Sequence, residues 1–67
     1  MEAEKWGRRI RAFRKLKGYT QEEFAKKTGI SLSIFGEIER GNRKPSPQTV
    51  LLISEKLGVP ADELTPD

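Results

Sequence analysis

The sequence predicts an all-α fold, a compact bundle of four to five short helices. Three observations carry that prediction. Apolar residues recur at helical spacing and nowhere alternate as they would in a strand. Thr20, Ser31 and Ser46 stand as hydroxyl caps immediately before the central segments. Gly18 closes the segment before them, and Gly29, Gly41 and Gly58 close the three capped segments in turn.

The first helix is expected over residues 5–17. Trp6, Ile10 and Phe13 form the apolar stripe of an amphipathic helix, and Gly18 supplies the stop. Arg8, Arg11 and Lys15 lie opposite the stripe. They form either a phosphate-binding face or a solvated one, and the solvated reading is preferred because this side points away from the core. Arg14 differs, since it sits at the edge of the apolar arc, where a charge needs a partner.

The next stretch is the one the chain is organised around. Thr20 followed by Glu23 is a capping box, in which the hydroxyl takes a free backbone N–H and the carboxylate reaches back. Tyr19 and Phe24 stand at hydrophobic-staple spacing across that cap. A helix over residues 21–28 ends at Gly29. Ser31 then caps a helix over residues 32–40, with Ile30 and Phe35 repeating the staple and Ile34 where a full box has an acid. Two helices joined through a short glycine-containing turn have the layout of a helix-turn-helix. At about 100° per residue, Phe35, Ile38 and, at the edge, Ile34 share one arc of the second helix. Ser33, Gly36, Glu37 and Arg40 share the opposite arc, and Leu32 lies between them in the first turn. Ala25 is small where two helices must approach closely.

NRKPSP after Gly41 cannot be helical throughout. Ser46 and Pro47 read as cap and first helical position. A helix over residues 47–57 turns Val50, Ile53, Ser54 and Leu57 inward and Leu52 outward, where Leu52 is a candidate for a partner patch. Residues 60–64 form one short turn with Val59 and Leu64 inward and Asp62 and Glu63 near its amino end. Residues 65–67 are expected to fray.

Sixty-seven residues predict one domain, with a core at about 6–64. Cysteine and histidine are absent, which excludes disulfide staples and thiolate or imidazole metal sites. Scattered Ser, Asp and Glu supply no catalytic base, metal constellation or phosphate loop, so no enzyme, cofactor, metal or small-molecule ligand is expected. No apolar run approaches a membrane span, and MEAEKWGRR lacks the apolar core of a signal peptide, so a cytoplasmic protein is expected. The 13 basic residues against 10 acidic ones give a net +3, a balance compatible with nucleic acid but not specific to it.

The ordered set WGRRIRAFRKLKGYTQEEFA, Gly29-Ile30-Ser31, IERG, RKPS and LGVPADEL resembles the phage repressor and Cro type of helix-turn-helix domain, found in bacterial and phage transcription regulators. The resemblance runs from about Trp6 to Leu64 and implies a lambda-repressor-like DNA-binding domain. It implies that Gln21 contacts phosphate and that Leu32, Ser33 and Glu37 meet base edges, with Gly36 beside them. Arg40, Arg43 and Lys44 match the region that meets the DNA backbone, and Arg14 and Glu39 match a pair that ties the first helix to the recognition helix. Thr28 departs from the family pattern, standing where a large aliphatic is usual, and Gly36 stands where a small polar residue is common.

The expectation is a sequence-specific regulator of double-stranded DNA, with the helix at about 32–40 in the major groove. Leu32 can meet a thymine methyl, and Glu37 can accept from cytosine. A weak homodimer, at least on DNA, accompanies that reading, with contacts near Leu52 and residues 59–63. The rival is a protein-interaction or antitoxin-like adaptor, motivated by the acidic, donor-poor recognition helix and by Leu52.

Overall fold

The structure, a computed structural model, describes residues 2–66. The helices follow in the order α1 (Glu2–Leu16), α2 (Gln21–Thr28), α3 (Leu32–Glu39), α4 (Pro47–Leu57) and α5 (Ala61–Leu64), and no strand occurs among the described residues. α1 starts at Glu2 rather than at position 5. Glu2 and Glu4 occupy its first turn, where negative charge complements the helix dipole. Glu2 is also held from outside, 2.6 Å from the Lys44 ammonium. Of residues 65–67, where fraying is expected, Asp67 lies outside the described residues.

The caps act as their chemistry requires. The Thr20 hydroxyl accepts from the Glu23 N–H at 3.0 Å, and Glu23 accepts from the Thr20 N–H at 2.9 Å. Ser31 accepts from the Ile34 N–H at 3.1 Å, and Ser46 from the Thr49 N–H at 3.2 Å. Gly29 ends α2 in the left-handed conformation at φ 79°, which a side chain would resist. α3 ends at Glu39, with Arg40 as a right-handed cap before Gly41. The buried Thr28 has a local role that an aliphatic could not fill: its hydroxyl donates to the Ala25 carbonyl at 3.0 Å and accepts from the Ile30 N–H at 3.2 Å. The turn between the two motif helices is therefore pinned by a side chain.

Trp6, Ile10, Phe24, Ala25, Phe35, Ile38, Val50, Ile53, Leu57 and Leu64 make one core. Tyr19, Phe24 and Phe35 run through it as a tilted aromatic series, with ring centroids 5.3 and 5.5 Å apart. α1 crosses α3 closely, and α4 touches α1, α2 and α5. That enclosure corrects the expectation for Leu52. α4 is packed from several sides, so Leu52 is half-buried, and Leu51 is the leucine of α4 left exposed, at 60%.

Candidate nucleic-acid interface

The chemistry of this surface starts from Arg14. Its Nε donates to Glu39 Oε2 at 2.6 Å, and a terminal nitrogen donates to Oε1 at 3.1 Å, a two-pronged contact between α1 and the end of α3. The other terminal nitrogen donates to the Tyr19 carbonyl at 2.8 Å. Gln21 Nε2 donates to Glu39 Oε1 at 3.0 Å, which brings the start of α2 into the same cluster. The two charged side chains are only 8% and 3% exposed. A buried pair of this kind holds only when its remaining donors and acceptors are satisfied, and no buried side-chain nitrogen or oxygen among the described residues lacks a partner. Three elements are thus fixed relative to one another: α1, the amino end of α2 and the carboxyl end of α3.

The outward side of this cluster is a polar cleft of about 360 Å³ lined by Arg11, Arg14, Gln21, Glu39 and Arg40. Arg14 is consumed by Glu39, so Arg11 and Arg40 are the cations it presents. Arg11, which the sequence reading placed with Arg8 and Lys15 on a solvated face, is exposed as expected and also lines this cleft. The signal was its place three residues before Arg14, which puts it on the neighbouring turn of the same helix face. Gln21 sits here too, but with its amide nitrogen committed to Glu39.

The remaining expected site residues separate into groups. Leu32 is 45% exposed in the first turn of α3, with Ser33 exposed beside it. Gly36 is buried, although it lies on the outward arc. An added Cβ would come within 2.9 Å of a terminal nitrogen of Arg40, so the guanidinium lies over it. Glu37 is half-buried and accepts from Arg43 Nε at 2.9 Å. Lys44 goes the other way, to Glu2, at the mouth of an apolar groove of about 430 Å³ lined also by Trp6, Pro45, Pro47, Val50, Leu51 and Thr65. The two adjacent cations of the loop therefore serve different surfaces. The carboxyl of Glu2 is held below its ordinary value, chiefly by the hydrogen bond from Lys44.

The fold and this surface define a helix-turn-helix domain. A helix-turn-helix family model matches residues 10–64, and the chain belongs to that family, of the Cro/C1 type, a class of DNA-binding transcriptional regulators. It is 68% identical over 66 residues to the HTH-type transcriptional regulator YazB of Bacillus subtilis, covering 98% of this chain and 96% of that protein. It is 42% identical over 59 residues to SlrR of the same organism, covering 87% of this chain but only 39% of SlrR. Among solved structures, the restriction-modification controller protein C.AhdI of Aeromonas hydrophila is 35% identical, with a TM-score of 0.88 over 92% of this chain and 94% of that one. The clp gene regulator ClgR of C. glutamicum is 28% identical, with a TM-score of 0.90 over 96% of this chain and 83% of that one. No helix among the described residues is long and apolar enough to cross a membrane.

Proposed function

We propose that the chain is a sequence-specific regulator that lays α3 in the major groove of double-stranded DNA and seats flanking phosphates against Arg11, Gln21 and Arg40. The observation that carries this reading is the Arg14–Glu39–Gln21 cluster, which holds the start of α2 and the end of α3 in a fixed relation beside a cationic cleft. A recognition helix must be held at a defined angle while backbone contacts set its register. Leu32 and Ser33, exposed in the first turn of α3, are then the side chains that meet base edges.

The domain is 26 Å in its longest dimension, and successive half-sites lie about 34–36 Å apart. One copy therefore covers one half-site. This supports a homodimer on DNA, with the exposed Leu51 of α4 in the role expected of Leu52. The single-domain organisation and a cytoplasmic location belong to the same reading. An adaptor remains the second reading, favoured by Glu37 on the reading face and by the apolar groove beside Leu51. The test is fluorescence anisotropy against pooled random duplex at two salt concentrations. Binding that weakens steeply with salt supports a DNA reader, and no binding at low salt supports the adaptor.

A further inference from the structure

The recognition helix has a chemical shortage. Leu32, Ser33, Gly36 and Glu37 offer one hydroxyl and no strong donor, and Arg40 is folded over Gly36. Guanine presents two acceptors, O6 and N7, in the major groove, and an arginine fork is the side chain that matches both. The loop after α3 brings such a fork back to the helix: Arg43 Nε donates to Glu37 Oε1 at 2.9 Å. The Asn42 N–H is bonded to the Glu37 carbonyl at 2.9 Å and the Gly41 N–H to the Ile38 carbonyl at 3.1 Å, while Pro45 is buried beyond. The segment carrying Arg43 is thus anchored on both sides.

The bond to Glu37 uses Nε. Among the described residues, the two terminal nitrogens of Arg43 make no hydrogen bond. Those two nitrogens form the edge that fits guanine. The charges argue in the same direction. A cation meant to hold phosphate loses general attraction when a carboxylate is tied to it, whereas a cation meant to read a base gains from being held in one geometry. Exposed ion pairs contribute little to stability, so this pair, 49% and 32% exposed, has no evident folding role.

We propose that Arg43 reads a guanine in each half-site and that Glu37 is the positioning residue that aims it. This rests on the DNA-reading function above, and it replaces the sequence expectation in which Glu37 accepts from cytosine and Arg43 holds phosphate.

The experiment selects preferred duplexes from a random pool with wild type, Glu37→Gln, Arg43→Ala, Arg43→Lys and the Glu37→Gln/Arg43→Ala double variant. Circular dichroism first checks that each is folded. Wild type is expected to enrich a guanine at one position per half-site. Arg43→Ala loses roughly ten- to hundredfold preference at that position. Arg43→Lys does not restore it, because a point charge lacks the fork. Glu37→Gln blurs the same position, and the double variant matches Arg43→Ala alone. Two results would overturn the proposal while leaving the DNA reading intact: Arg43→Ala weakening all duplexes equally, or Glu37→Gln shifting a different position from Arg43→Ala. If wild type enriches no duplex at all, the DNA reading itself fails and the proposal falls with it.

Discussion

Gly7 of α1 lies against the backbone of α3 at Ile38. A methyl group added at Gly7 would come 2.5 Å from the Ile38 carbonyl oxygen and 2.6 Å from that of Glu39. The first helix therefore crosses the recognition helix backbone on backbone, and this contact sets how α3 is presented.

Gly7→Ala should destabilise the fold by about 3 kcal/mol, at the upper end of overpacking costs, because neither carbonyl can swing aside as a side chain would. Gly36→Ala should act in the opposite direction. Its obstacle is the mobile tip of Arg40, so relief of the helix-interior glycine should stabilise by up to about 1 kcal/mol. Urea denaturation of the two variants beside wild type checks both signs. Equal midpoints for Gly7→Ala and wild type would mean that the crossing is loose.

Arg14 and Glu39 are close enough, and buried enough, to fail together. Arg14→Ala or Glu39→Ala alone should cost about 3–5 kcal/mol, since each leaves a buried charge unpaired. The double variant should cost clearly less than the sum of the two. Additive losses in a double-mutant cycle would show that the residues do not act as a pair.

The capping box of α2 makes a pH prediction. The Thr20 backbone N–H, and then its hydroxyl, hold the Glu23 carboxyl below its ordinary value of 4.5. A carboxyl depressed by folding contributes stability that is present above the unfolded value and is lost as pH falls through the folded one. NMR titration should therefore place the Glu23 midpoint below that of the same residue in an unfolded peptide, and Thr20→Ala should raise it. An unchanged midpoint in Thr20→Ala would mean that the hydroxyl does not act on the carboxylate.

The helices were legible because their boundaries are written in local chemistry. Thr20 with Glu23, Ser31, and Ser46 with Pro47 each mark a start that neighbouring residues alone determine. What the sequence left hidden depends on contacts between distant segments. Gly7 looks like an indifferent residue until α3 is laid across it. Leu52 looks exposed on a helical wheel because a wheel does not know that α4 is packed from several sides. The same holds for the surface: the pairings of Glu37 with Arg43 and Lys44 with Glu2 join residues from different elements. Side-chain direction from the loop after α3 is decided by where the loop is anchored, which residue spacing does not encode.

The central claim is that the face made by the start of α2 and the outward side of α3 meets DNA. It is tested most directly by titrating isotope-labelled protein with its selected duplex and following backbone amide shifts. The account predicts large changes at Gln21, Leu32, Ser33, Glu37 and Arg40, with the groove beside Trp6 and Val50 nearly still. Changes confined to that groove, with α3 unmoved, would contradict it.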